Sequence, residues 1–155
     1  MKKILIINGP NLNLLGKRDP EIYGNKTLLD VENMLNEYLV KNELEKKFEV
    51  NFFQSNHEGI LIDFIQDNSK DSHGIIINPG GLTTVGFPLL DALIDSKKPS
   101  IEIHISDIHK REEFRRNSIF PNYCVSQISG MGISGYVTAL DNICNLLNME
   151  DKDGI

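Results

Sequence analysis

Two segments of the chain, Ile4-Leu5-Ile6-Ile7 and Ile75-Ile76-Ile77, are apolar at every position. Successive side chains of a β-strand point to opposite faces, so a strand with one wet face alternates apolar and polar residues. An uninterrupted apolar strand has both faces covered, as in a parallel sheet packed between helices. The rest of the chain fits that condition. Strand patterns fall at 3–8, 48–54, 74–78, 100–105 and 123–128, with helical spacing between them. Over 27–45, Leu28, Val31, Leu35, Tyr38 and Leu39 share one face, behind Thr27 as N-cap with Asp30 three residues on. Helices are also expected over 58–68, where Ile60, Leu61, Phe64 and Ile65 repeat the period, and over 86–96, with Pro88 in the first turn. A short helix over 110–116 and an amphipathic one over 133–148 complete the set.

Five strands alternating with helices predict a three-layer α/β domain with a parallel sheet. The expected strand order for five such units is the flavodoxin-like 2-1-3-4-5. The chain of 155 residues suits one domain, expected over 1–149, with a frayed polar tail over 150–155. A net charge of −6 supplies no basic field for a nucleic-acid backbone or an anionic membrane, and no run of eighteen apolar residues occurs. The apolar start stops at Asn8-Gly9-Pro10 without a small-residue cleavage site, so it reads as a strand rather than a signal peptide. The two cysteines, Cys124 and Cys144, form neither a disulfide framework nor a metal pattern and are expected as buried free thiols. A cytoplasmic protein is the expectation.

Ligands of open parallel sheets bind beyond the carboxyl ends of the strands. The segments that follow the strands here are rich in amides, glycines and hydroxyls: Asn8-Gly9-Pro10-Asn11-Leu12-Asn13, Gln54-Ser55-Asn56-His57, Asn78-Pro79-Gly80-Gly81-Leu82-Thr83-Thr84, His104-Ile105-Ser106-Asp107 and Ser129-Gly130. The opposite edge carries plain connections such as Glu45-Lys46-Lys47. No G-x-G-x-x-G, phosphate loop or G-x-S-x-G elbow is present, and the histidines and acids do not fall at metal-ligand spacings. The chemistry narrows to acid–base work on a small polar molecule without cofactor or metal.

His104 ends an apolar strand, where a histidine is either a satisfied core residue or a proton carrier facing a pocket. Glu102, two residues earlier, points to the same face and is placed to hold the imidazole. Arg18 and Tyr23 lie in a long connection of the kind that often forms a lid. A free tyrosine titrates near pH ~10, so it serves as a base at neutral pH only where a cation stabilises its phenolate. Arg18 is the local cation; the alternative is an exposed tyrosine and a solvated arginine. Arg111 and Arg115, four apart on the expected short helix, either grip a carboxylate together or form a solvated pair.

Taken together these motifs become recognisable. The run from Asn8 to Gly16, with Arg18-Asp19-Pro20 and Tyr23-Gly24, closely resembles the opening signature of the type II 3-dehydroquinate dehydratases. The resemblance continues through Phe53-Gln54-Ser55-Asn56-His57-Glu58-Gly59, Asn78-Pro79-Gly80-Gly81, Ile101-Glu102-Ile103-His104-Ile105-Ser106, Arg111-Glu112-Glu113-Phe114-Arg115 and Gly135-Tyr136. It implies dehydration of 3-dehydroquinate to 3-dehydroshikimate with neither metal nor Schiff base. By position, it implies Tyr23 as the base at C2, Arg18 stabilising its phenolate, and Asn11 stabilising the enolate through a water. It implies His104 as the acid for the C1 hydroxyl, oriented by Glu102. Asn78, Ile105, Ser106 and Arg115 are implied as substrate binders, and Arg111 as part of the lid and charge network. Asp91 matches an aspartate that reaches into a neighbouring subunit's site, and family members form trimers stacked into dodecamers, so a homo-oligomer is implied. One stretch departs from the pattern. Thr84, Val85 and Gly86 stand where the family has histidine, then threonine or tyrosine, then serine. The histidine's implied contact with substrate hydroxyls falls to the shorter Thr84. The departure motivates a second reading, a relative that binds carboxylate ligands or regulates without turnover. A flavodoxin-like nucleotide or flavin binder is a third, resting on fold analogy alone.

Overall fold

The computed structural model describes residues 1–153. Five parallel strands, β1 (Lys2–Asn8), β2 (Phe48–Gln54), β3 (Gly74–Asn78), β4 (Ser100–His104) and β5 (Ser126–Ser129), form one sheet in the order β2-β1-β3-β4-β5, as the pattern predicts. The helices are α1 (Pro20–Tyr23), α2 (Leu28–Lys41), α3 (Glu58–Asn68), α4 (Phe87–Asp95) and α5 (Ser134–Asp153).

The continuous apolar strands have the predicted cause. Ile4 and Ile6 of β1 join Ile76 of β3 in a core with Val31, Leu35 and Leu39 of α2 and Tyr136, Leu140 and Ile143 of α5. Their neighbours Leu5, Ile7, Ile75 and Ile77 point the other way, into a core with Leu61 and Ile65 of α3 and Leu89 and Leu93 of α4. Each of these side chains adds roughly 1.5–3 kcal/mol of transfer free energy when fully buried. A one-residue slip of β1 would exchange the two sets, so its register is tightly specified.

Local signals start and stop the helices. Thr27 and Asp30 make a reciprocal capping box at α2. That helix ends at Lys41, short of the expected 45, because Glu43 turns left-handed (φ 57°) and the Leu44 amide donates back to the Leu39 carbonyl at 2.8 Å. The expected short helix over 110–116 does not form. Two 3-10 turns, Ile108–Lys110 and Glu113–Arg115, flank an extended Arg111 (φ −84°, ψ −176°), so Arg111 and Arg115 do not share a helical face. β5 begins later than expected because Pro121–Tyr123 forms a 3-10 turn. α5 continues into the segment expected as a polar tail, as far as Asp153. Lys2 Nζ ties it down, donating to the Leu147 carbonyl at 2.5 Å and pairing with Asp151 at 2.8 Å. Gly154 and Ile155 lie outside the described residues. Cys144 is buried and Cys124 partly so, both as free thiols.

The segments after β1 and β3 pack backbone to backbone. A Cβ on Gly9 would lie 2.4 Å from the Pro79 carbonyl oxygen, and the Gly9 amide donates to the Asn78 carbonyl at 2.8 Å. Gly9→Ala must therefore push these two turns apart. It is expected to cost about 1–3 kcal/mol of stability in a denaturant titration, and a midpoint equal to the parent's would contradict this contact.

Candidate active site

The sheet's register gathers the candidate residues at one edge. Asn8 and Asn78, the last residues of β1 and β3, are paired, and His104 ends β4 beside Ser129 of β5. Beyond this edge lies a pocket lined by Asn11, Arg18, Tyr23, Asn78, Thr84, His104, Ile105, Ser106, Arg111 and Arg115, with Thr83 and Phe114. Residues from the turns after β1, β3 and β4 thus meet in one cleft, at the place where the strand order reverses.

One wall carries an imidazole–carboxylate pair. His104 Nε2 is 2.6 Å from Glu102 Oε1, as their spacing on one strand face predicts. Glu102 is fully buried behind His104 and does not line the pocket. A buried carboxylate has to be heavily hydrogen-bonded to remain ionised. The Thr83 and Ser118 hydroxyls donate to Oε1 at 2.5 and 2.7 Å, and the Gln127 amide donates to Oε2 at 2.8 Å. Burial pushes the Glu102 carboxyl up. The bond and charge of His104, with the Thr83 and Ser118 hydroxyls, outweigh it and hold the group below its ordinary range.

The facing wall carries a phenol between two guanidinium groups. Asp19 caps α1 by accepting from the Glu21 amide at 3.0 Å, and Pro20 opens the helix, so the short turn presents Tyr23 at its end. Arg18 donates to the Tyr23 oxygen at 3.0 Å and stacks 3.9 Å from its ring centre. Arg111 donates to the same oxygen at 3.1 Å and to Ser106 Oγ at 3.3 Å. The Tyr23 bond pushes the Arg111 guanidinium above its already high range, so it stays charged. Two guanidinium groups thus converge on one phenol oxygen.

The sequence profile described as dehydroquinase class II matches residues 2–144. The chain belongs to the class II dehydroquinases. It is 52% identical to the 3-dehydroquinate dehydratase of Halothermothrix orenii over 147 residues, which are 95% of this chain and 97% of that protein. Among solved structures it resembles the type II dehydroquinase of Butyrivibrio crossotus (45% identity, TM-score 0.85, covering 92% of this chain and 97% of that one). It also resembles that of Propionibacterium acnes (35% identity, TM-score 0.84, covering 96% and 97%).

In this dehydroquinase the remaining candidates fall as follows. Asn11, left-handed at φ 69°, is held by its amide donating to Asn56 Oδ1 at 2.9 Å. Arg115 Nε lies 3.1 Å from Glu112 Oε2, an ion pair whose angle makes no aligned hydrogen bond. Thr84 reaches the pocket, its hydroxyl 3.4 Å from the Gly81 carbonyl. Asp91 does not line its own chain's pocket; it is exposed on α4. His57, in the polar edge of β2, is exposed and also outside the pocket. Among the described residues no cluster of three His, Cys, Asp or Glu side chains is arranged to hold a metal ion.

Sequence reasoning missed the residues that hold the lining groups. Besides Thr83, Ser118 and Gln127, the buried Tyr136 of α5 accepts from Asn78 Nδ2 at 3.1 Å and donates to Asn8 Oδ1 at 2.5 Å. The Gly80 amide donates to Asn78 Oδ1 at 3.1 Å, which fixes the orientation of that amide. Tyr136 sits inside a recognised motif, but only the fold brings it beneath Asn78.

The lowered Glu102 carboxyl has a signed consequence. A group whose folded value lies below its unfolded one stabilises the fold above the unfolded value, and that contribution is lost as pH falls through the folded value. Glu102→Gln removes this dependence. Its stability is expected to fall less steeply than the parent's on acidification below about pH 4.3, the ordinary glutamate range. Parallel slopes in acid unfolding curves would contradict the ionised assignment.

Proposed function

We infer that this chain catalyses the dehydration of 3-dehydroquinate to 3-dehydroshikimate, a step of the shikimate pathway. The observation that carries the reading is that two candidate proton carriers in opposite electrostatic settings line one pocket. One is the Tyr23 phenol between Arg18 and Arg111, and the other is His104 backed by Glu102. The family membership and the names of the relatives point to the same reaction.

The chemistry follows from these positions. Tyr23, as phenolate, takes the proton from C2 beside the ketone. The electron pair moves onto the carbonyl oxygen, and charge grows where Asn11 is placed to stabilise it through a water. Collapse of the enolate forms the C1–C2 double bond and expels the C1 hydroxyl, which leaves as water with a proton from His104. Asn78, Thr84, Ile105, Ser106 and Arg115 bind the hydroxyls and the carboxylate. Arg111, by bonding both Tyr23 and Ser106, ties the α1 connection to the segment after β4. No observation favours the ligand-binding alternative raised by the Thr84–Gly86 stretch.

The reading includes a homo-oligomer of trimers assembling to a dodecamer. Phe87, Asp91 and Ile94 recur at i, i+4 and i+7 on α4, and all three are exposed. An apolar helix face with a central carboxylate suits contact with a second copy, and Asp91 would then serve the neighbour's pocket. The reading also includes the cytoplasm, supported by two free thiols. Among the described residues, no helix is long and apolar enough to cross a membrane.

Enone absorbance on mixing with 3-dehydroquinate tests the reaction directly; no turnover at high substrate would overturn it. Tyr23→Phe and His104→Ala should each lower kcat by about 10²–10⁴-fold while the protein stays folded. Thr84→His should change KM by no more than about tenfold, the effect of one neutral hydrogen bond, and leave kcat near the parent's. Phe87→Glu should reduce the solution mass measured by light scattering, and a mass unchanged from the parent's would remove α4 from the interface.

A further inference from the structure

We propose that Thr83, Ser118 and Gln127 are positioning residues that hold Glu102 as a permanent carboxylate, so that His104 keeps a fixed proton on Nε2 and exchanges its catalytic proton through Nδ1. The inference rests on His104 acting as the acid of the dehydration, and deepens that assignment.

The argument is a count of hydrogens. An ionised carboxylate only accepts, with about four lone-pair sites, whereas a protonated one must use a site to donate. Glu102 Oε1 has the Thr83 hydroxyl at 2.5 Å, the Ser118 hydroxyl at 2.7 Å and His104 Nε2 at 2.6 Å. Oε2 has the Gln127 amide at 2.8 Å, and an amide nitrogen can only donate. Ser118 Oγ in turn accepts from the Phe120 amide at 3.1 Å and lies 2.8 Å from Thr83 Oγ1. Thr83 Oγ1 also lies 3.3 Å from His104 Nε2, so at least one hydroxyl hydrogen and the Gln127 amide are directed at Glu102. A carboxylate held ionised by these donors only accepts, which makes Nε2 the donor of the 2.6 Å contact. The ring's other nitrogen, Nδ1, is then the one that changes its proton.

The three holders come from three separate elements. Thr83 lies in the turn after β3, Ser118 in the segment before β5, and Gln127 in β5 directly opposite Glu102 in the ladder. Gln127 and Ser118 do not line the pocket, so they act on the reaction only through Glu102. The other ionisable groups around the pair are few. Tyr23, Arg18, Arg111 and Arg115 line the same pocket as His104. The Cys124 thiol faces Glu102 from before β5, pushed up to about 12 by burial and then by the Glu102 charge, so it is neutral throughout the working range.

The chemical consequence concerns acid strength. Donors on the far side of a carboxylate draw its charge away from the imidazolium. Removing one makes the carboxylate more basic, so it holds the imidazolium proton more tightly and His104 becomes a weaker acid. In the step itself the C1–O bond electrons leave with oxygen, the Nδ1 proton completes the water, and neutral imidazole remains with its hydrogen on Nε2.

Nitrogen-15 NMR of histidine-labelled parent protein tests the proton placement without any need for turnover. The neutral form of His104 should show Nε2 protonated and Nδ1 bare, and the opposite tautomer would overturn the proposal. Gln127→Met and Thr83→Val, which keep volume but remove a donor, should both move the His104 titration to higher pH in the same spectra. In the turnover assay Gln127→Met should lower kcat about tenfold to a hundredfold with KM nearly unchanged, and Thr83→Ser should restore what Thr83→Val loses. A His104 titration unmoved in both variants would overturn the proposal even if kcat fell. Absence of dehydration with the expected tautomer and shifts would instead count against the acid role of His104 and leave the proton placement standing.

Discussion

The inner strands of the sheet, β1 from Ile4 onward and all of β3 and β4, are buried on both faces, and that constraint organises the rest of the molecule. Buried backbone donors and acceptors must be paired, so β1, β3 and β4 need a complete ladder with a single register. That register places Asn8 beside Asn78, Glu102 beside Gln127, and His104 at the sheet's edge. The same burial makes any polar side chain inside the sheet expensive unless it is fully partnered. Glu102, Asn8 and Asn78 are such side chains, and each is bonded to another buried or half-buried group. The chemistry at the edge is therefore supported by groups that cannot relax without breaking the core.

Charge is distributed across the cleft in opposite senses. On one side two guanidinium groups converge on the oxygen of Tyr23. On the other the Glu102 carboxylate backs the His104 imidazole. Both environments occur in a chain whose net charge of −6 gives no hint of a local cationic cluster. Arg111 links the two regions, since it binds both Tyr23 and Ser106 in the segment that follows β4.

Legibility varied with the range of the interactions involved. The α2 start was readable because Thr27 and Asp30 satisfy each other within one turn. The bounds of β2, α3 and β3 were readable because apolar runs end at turn residues. The segment around Arg111 was not, since two 3-10 turns replace the helix and Arg111 bonds Tyr23, which is supplied from another part of the chain. The reach of α5 into the polar C-terminal segment was not legible either, as Lys2, which bonds its last turns, lies far away in sequence. Arg18, Tyr23, Asn11 and His104 were legible as candidates through a family resemblance rather than through periodicity, which located the edge and left the chemistry open.

By itself, then, the sequence determined a parallel sheet covered on both faces, and the edge at which the candidate residues gather. Those properties depend on side-chain period, turn chemistry and motif, which are local. Tertiary structure alone decided that Arg111 joins Arg18 on one phenol oxygen, that Thr83, Ser118 and Gln127 surround Glu102, and that Tyr136 fixes Asn78. These contacts join residues up to 88 positions apart. They exist only once the ladder has set which strand ends stand side by side, because hydrogen-bond geometry is satisfied over about 3 Å and not over sequence distance.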